Sequence, residues 1–229
     1  MTAKVYRVAE PNPSEDLLAK MAGQYSTILA DPPWQFQNRT GKVAPEHRRL
    51  LRYPTMELKE IIELPVARLA AAQSHLYLWV PNALLQEGLR VMEAWGFTYK
   101  SNVVWYKIRK DGGPDGRGVG FYFRNVTELV LFGVRGSMRT LPPGRRQVNI
   151  LATRKREHSR KPDQIYDIIE SCSPGPYLEV FARFRRAGWK QWGNEDVEEN
   201  SICGVARRKG HVDPQLRLLE TPRGYSGKG

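Results

Sequence analysis

Tyr25-Ser26-Thr27-Ile28-Leu29-Ala30-Asp31-Pro32-Pro33-Trp34 is the stretch on which the fold turns. Its first six residues are a short apolar run rich in strand formers and closed by a breaker, which predicts a buried strand. Asp31 then stands at the strand's end. An acid there can serve as metal ligand, nucleophile, acid–base group or hydrogen-bond acceptor. Two consecutive prolines remove two backbone donors and stiffen the turn, while their carbonyls can still accept. Asp31 and a neighbouring carbonyl thus make an acceptor-only pair for a planar –NH2 group, and Trp34 offers a flat apolar face for stacking. The plain alternative is a turn with a capping aspartate and a buried tryptophan.

Outward from this strand the pattern alternates. Residues 35–54 are polar, basic and aperiodic, a long loop of the kind compact domains keep for function or leave disordered. Thr55 is placed to cap a helix through Met56, Leu58, Ile61 and Ile62, with Glu57 near its positive end, and Pro65 restarts a second short helix. His75–Val80 reads as another buried strand. Asn82 then opens an amphipathic helix with Leu84, Leu85, Leu89, Met92 and Trp95 on one side, ended by Gly96. Strand composition returns at 97–108, 127–136, 149–153 and 177–183, the last taken as the final core strand. Pro162 opens a helix through Ile165, Ile168 and Ile169 that stops at Ser173-Pro174-Gly175-Pro176. The alternation predicts an α/β fold, a Rossmann-like, mostly parallel sheet covered by helices on both faces. Ligands of such sheets lie at the strands' C-terminal ends, here Asp31 and the ends of the strands closing at Val80 and Arg183. Residues 1–24 read as an arm or short helix, 25–195 as the domain and 196–229 as a frayed tail.

The 229 residues carry 36 Lys+Arg against 24 Asp+Glu, a net charge of +12 that points to a polyanionic partner. Residues 145–161 contribute Arg145, Arg146, Arg154, Lys155, Arg156, Arg160 and Lys161 against Glu157 alone, and a second basic run extends from Arg39 to Arg52. Two cysteines, Cys172 and Cys203, and four histidines argue against a disulfide scaffold or a Cys/His zinc site. No apolar stretch is long enough to span a bilayer and Met1–Lys20 lacks a signal-like apolar middle, so an intracellular, cytoplasmic protein with no membrane partner is expected. Gly116–Gly120 precedes a strand rather than opening a helix, which suits a mobile loop over substrate better than a nucleotide fingerprint.

An acceptor-only notch beside an indole fits the exocyclic amine of adenine or cytosine. That nitrogen's lone pair is delocalised into the ring, and two acceptors holding its hydrogens favour a pyramidal, nucleophilic nitrogen. Attack on a methyl sulfonium needs no metal and no covalent intermediate, only placement and electrostatics.

Taken in order, ILADPPW (28–34), RYPTM (52–56), LYLWV (76–80), VVWYKI (103–108), TELVLFGV (127–134), RKPDQIYDIIE (160–170), SPG (173–175), LEVFAR (178–183) and GNE (193–195) resemble one family over Tyr25 to Glu195. This is the family of S-adenosylmethionine-dependent N(6)-adenine methyltransferases of the MT-A-seventy type, which includes the eukaryotic mRNA adenosine methyltransferase catalytic subunit and bacterial and phage relatives. The resemblance implies a permuted order in which the catalytic strand precedes the cofactor strand. It implies S-adenosylmethionine as cofactor, S-adenosylhomocysteine as product and no metal. Asp31, Pro32, Pro33 and Trp34 would be catalytic, and Asp31, Lys161, Glu179, Phe181, Arg183, Asn194 and Glu195 would meet the cofactor. Tyr53, Trp79 and Lys107 match positions lining the target base; Arg52, Arg154, Lys155 and Arg156, from the basic runs, would hold phosphates. Ala182 stands where relatives have glycine, and Arg185 and Arg186 replace a His-Asn pair, leaving these arginines as candidates for nucleic acid. The expected substrate is adenine in DNA, in a compact bacterial or phage-encoded enzyme. The alternatives are adenosine in RNA, a non-catalytic nucleic-acid-binding subunit or, third, a cytosine amine. Relatives often work in pairs, so a homodimer or heterodimer is expected.

Overall fold

Strand β1 (Tyr25–Ala30) is buried along nearly its whole length and pairs in parallel with a neighbour on each side, which is why it reads as strand formers without a polar face. The structure, a computed structural model, describes residues 12–36, 55–116, 122–154 and 160–193. In chain order its elements are α1 (Pro13–Lys20), β1, α2 (Leu58–Glu63), α3 (Val66–Leu69), β2 (Ala70–Val80), α4 (Leu85–Ala94), β3 (Thr98–Ile108), β4 (Thr127–Arg135), β5 (Ile150–Arg154), α5 (Gln164–Cys172), β6 (Tyr177–Val180) and β7 (Trp189–Trp192). Short 3-10 turns occupy Asn82–Leu84 and Pro142–Arg146.

The strands form one sheet in the order β5-β3-β4-β2-β1-β6-β7. Among the described strands β4 alone is antiparallel to its neighbours, so the expected α/β, mostly parallel architecture holds. The reversal of β4 puts its first residues at the edge where the parallel strands end: Leu129 pairs with Val80 and Glu128 with Trp105.

Alternation along the strands divides the core between the faces. One face gathers Ile28, Leu76, Leu78, Val80 and Leu178 under α2, α3 and α4; the other gathers Leu29, Tyr77, Trp79, Trp105 and Val130 under α5. Helix α1 lies within the stretch expected to be an arm or short helix. Asn12 caps it through its side-chain oxygen, Leu17 is fully buried, and Trp192 Nε1 donates to Asp16 Oδ2 at 2.8 Å. No helix among the described residues is long and apolar enough to cross a membrane.

Four local expectations are corrected. Glu57 rather than Thr55 opens α2, through a capping box in which the Glu57 amide donates to Glu60 Oε2 at 2.6 Å. Met56 is held instead beside Trp34, its amide donating to the Pro33 carbonyl at 2.9 Å. Asn82 does not cap through its side chain; its Nδ2 donates to Thr127 Oγ1 at 2.9 Å. The buried stripe of α4 is Gly88, Val91 and Met92, with Leu85 and Leu89 outside. The reason is Gly88: a Cβ there would lie 2.6 Å from Val80 Cγ2, so the helix packs through its glycine and turns the two leucines away. Finally, β6 is not the last strand. It ends at Val180 because Phe181 takes φ +70°, and β7 follows as an edge strand.

Candidate active site

Alternation also dictates which side chains share the α5 face at the C-terminal edge of the sheet. Asp31 follows Leu29 by two, Lys107 follows Trp105 by two, and Glu128 precedes Val130 by two. Lys161 joins them from the loop entering α5. Its ammonium lies 3.1 Å from Asp31 Oδ1, 3.2 Å from Glu128 Oε2 and 5.0 Å above the Trp79 ring. Lys107 donates to the other Glu128 oxygen and stands 4.7 Å over the Trp105 ring. Carboxylates and ammonium groups thus alternate as Asp31, Lys161, Glu128, Lys107. Burial alone would neutralise Lys161 and Glu128, but the pairing prevails. Desolvation opposes the charge on Lys161, yet Asp31 and then Glu128 hold its pKa above the ordinary lysine value. Likewise Lys161 and then Lys107 keep the Glu128 carboxyl below its ordinary value against burial.

The turn after β1 is pinned from several directions. The Asp31 amide donates to the Val180 carbonyl at 3.4 Å, and the Trp34 amide reaches back to the Pro32 carbonyl at 2.8 Å. That bond takes one lone pair of the Pro32 oxygen and leaves the other able to accept. Trp34 itself turns to the opposite face. It is 7% exposed, packed in the core beneath α2 and α4, and its Nε1 donates to the Trp79 carbonyl at 2.9 Å. The indole that the sequence offers to a base is therefore a buried anchor of the turn. Trp79 is likewise in the core, edge-on to Trp105, with Lys161 over its face.

A second cluster surrounds Glu179 on β6. Tyr166 Oη donates to Glu179 Oε1 at 2.9 Å, and Gln191 Nε2 donates to Oε2 at 2.7 Å. Burial is the main reason the Glu179 pKa is pushed up to about 7; the two hydrogen bonds oppose it and the Asp31 charge adds to it. Gln191 also accepts from the Arg186 amide at 2.8 Å. The Arg186 guanidinium stacks 4.5 Å over Tyr166, donates to Glu170 at 2.9 Å and reaches Asp167 at 3.3 Å. Arg186 is thus committed to α5. Beyond β6 the backbone is pinched: the Ala182 amide donates to the Trp192 carbonyl at 2.8 Å, and a Cβ at Gly193 would overlap the Ala182 carbonyl. This contact explains the glycine of the GNE segment.

The structure therefore brings Asp31, Lys161, Trp79 and Lys107 together and sets Glu179 beside Asp31, with Phe181 and the partly exposed Arg183 following β6. Tyr53, Arg52, Lys155, Arg156, Asn194 and Glu195 lie outside the described residues. The basic run 145–161 is not one patch. Arg145 and Arg146 sit on the turn before β5, whereas exposed Arg154 ends that strand beside Ile108, roughly 15 Å further along. Only Arg154 of these three shares the edge with Asp31.

Sequence reasoning missed Glu128, Tyr166 and Gln191. The signal for Glu128 was a lone acid opening an otherwise apolar strand. Gln191 carried none, because WKQW is too short to show a period.

The donor set has the chemistry of an S-adenosylmethionine site: two carboxylates for an ammonium and for ribose hydroxyls, and one lysine for a carboxylate, gathered at the C-terminal edge of a doubly wound sheet. Among the described residues no group of three or more His, Cys, Asp or Glu is placed to hold a metal ion. Fold and donor set together fit an α/β methyltransferase, the class to which the comparisons with known proteins assign the chain. The MT-A70 family model matches residues 25–195. The type II methyltransferase M.MunI of Mycoplasma sp is 30% identical over 217 residues, 87% of this chain and 89% of that protein. The putative N(6)-adenosine-methyltransferase MT-A70-like of Medicago truncatula is 29% identical over 181 residues, 76% of this chain but 26% of its own length. The human N(6)-adenosine-methyltransferase catalytic subunit METTL3 is 25% identical over 179 residues, again 76% of this chain and 28% of its own. The chain belongs to the MT-A70 family.

Proposed function

We propose that the protein methylates the 6-amino group of adenine in DNA, using S-adenosylmethionine. The observation that carries this reading is Asp31 held at the end of a buried central strand, one face shared with Lys161 and Glu179. The 30% identity to a type II methyltransferase over 217 residues, 89% of that protein, supports the reading of DNA as substrate.

When bound, S-adenosylmethionine supplies an electrophilic methyl group on a sulfonium. The chain does the rest by placement. Asp31 and the second lone pair of the Pro32 carbonyl accept from the two hydrogens of the amine and draw its nitrogen toward a pyramidal geometry. Trp34 and Pro33 keep that turn rigid from beneath. Lys161 steadies Asp31 and would meet the cofactor carboxylate; Glu179 and Arg183 would face its polar groups, with Asn194 and Glu195 beyond. Tyr53 would close over the base, and Arg52, Arg154, Lys155 and Arg156 would hold phosphates. In duplex DNA the adenine must be flipped out, because its amine is otherwise paired. A paired subunit, a second copy or a different chain, belongs to the same reading.

The reading predicts a pH effect. The Glu179 carboxyl can accept through both oxygens only when ionised, and its pKa is pushed up to about 7. Cofactor affinity should therefore rise with pH through that value, by up to about tenfold between one unit below and one unit above, and then level off. Calorimetric titration of S-adenosylhomocysteine across pH checks this, and Glu179→Gln should flatten the profile. Stability should move oppositely. Between the ordinary glutamate range and about 7 the folded form keeps a proton that the unfolded chain has released, so this group's contribution falls as pH rises.

The substrate class is tested by supplying methyl-labelled cofactor with parallel DNA and RNA pools. Faster incorporation into DNA is expected; incorporation confined to RNA would reassign the substrate. Tight cofactor binding without incorporation into either pool would favour a non-catalytic subunit.

A further inference from the structure

Two adjacent aromatic side chains stand outside the core, Tyr122 at 94% and Phe123 at 84% exposure. A phenylalanine left in water forgoes roughly 1.5–3 kcal/mol that burial would give, so an adjacent exposed pair calls for an occupant. The pair is rooted on a fixed base. The Lys107 amide donates to the Val126 carbonyl at 2.8 Å, and Asn82 Nδ2 donates to Thr127 Oγ1 at 2.9 Å. Immediately beyond, Glu128 takes its place in the chain of charges that ends at Asp31. The two rings thus leave the sheet at the edge that carries the candidate active site.

We propose that Tyr122 and Phe123 form a stacking platform for the unpaired nucleotides that flank the target adenine. The inference rests on the nucleic-acid reading above and adds to it a contact surface. Both rings can offer a face to a base, whose flat apolar surface carries no complementary hydrogen-bonding demand. Arg124 follows directly, Arg154 ends a strand at the same edge, and the chain carries +12, so rings and positive charge occur together as a nucleotide's base and phosphate require. A stable protein interface needs on the order of 800 Å² per partner around an apolar centre, far more than two side chains supply.

The test is fluorescence anisotropy with a labelled, adenine-containing single-stranded oligodeoxynucleotide pool, in the presence of S-adenosylhomocysteine and over a range of salt. The double variant Tyr122→Ala/Phe123→Ala should bind on the order of ten- to a hundredfold more weakly. Its slope of log affinity against log salt should match that of the unaltered protein, because the lost contacts carry no charge. Tyr122→Phe should bind normally, since its ring still stacks. Cofactor affinity should be unchanged in both, which reports an intact fold. Equal binding by the double variant and the unaltered protein would overturn the platform alone. A dimer that falls to monomers in the double variant by light scattering would reassign the pair to a protein interface. Failure of the unaltered protein to bind any oligonucleotide, with cofactor binding intact, would overturn both this inference and the nucleic-acid reading beneath it.

Discussion

Asp31→Asn should lower the rate of methyl transfer by at least about a thousandfold while leaving the fold and cofactor binding nearly intact. The substituted amide keeps the size of the side chain but replaces one acceptor oxygen by a donor or turns a single neutral acceptor toward the amine. The pairing that holds the nitrogen pyramidal is lost, and an –NH2 group aimed at an –NH2 group repels it. Folding survives because the turn is secured elsewhere, by the Asp31 and Trp34 amides and the Trp34–Trp79 bond. Lys161 keeps Glu128 at 3.2 Å. Lys161 and Glu179 remain for the cofactor, so its Kd should change by less than about tenfold. Single-turnover kinetics with saturating cofactor measures the first quantity and calorimetry the second. Turnover within tenfold of the unaltered enzyme would remove Asp31 from the mechanism.

Glu128→Gln should damage stability and turnover together. Glu128 is the anion between Lys161 and Lys107, and without its charge both ammonium groups lose that partner. Removing one member of a fully buried pair costs about 3–5 kcal/mol; with this site partly open to solvent, on the order of 2 kcal/mol is expected. Turnover should fall roughly ten- to a hundredfold, because Lys161 then leans on Asp31 alone and competes with the amine for its oxygens. Thermal unfolding and single-turnover rates read the two effects. A single variant with unchanged Tm and rate would show that the alternating charges are incidental.

How much was legible depended on what each residue had to satisfy. YSTILA lies in a central strand buried along nearly its whole length, so its run of strand formers ending in Ile28-Leu29-Ala30 carries a local meaning. Asp31 declared itself because an acid, two prolines and a tryptophan follow a buried strand in a basic α/β domain. Direction was harder. The alternation of TELVLFGVR says strand but not which way it runs, and the reversal of β4 is what carries Glu128 to the site. Trp34 read as a stacking surface and Trp79 equally as site lining or core, and only the packing on each face of the sheet shows both in the core. The leucines of α4 misled because Gly88, silent as an apolar residue, sets the helix's rotation. The basic run 145–161 looked continuous because charge counting ignores that β5 carries the chain across the sheet.

The central claim is that the Asp31 notch presents an adenine amine to an electrophilic methyl group. Its most direct test is to incubate the protein with methyl-labelled S-adenosylmethionine and nucleic acid, digest to nucleosides and locate the label. The account predicts label in N(6)-methyladenine and in no other base. Label on cytosine or on an adenine ring nitrogen, or none despite bound cofactor, would contradict it.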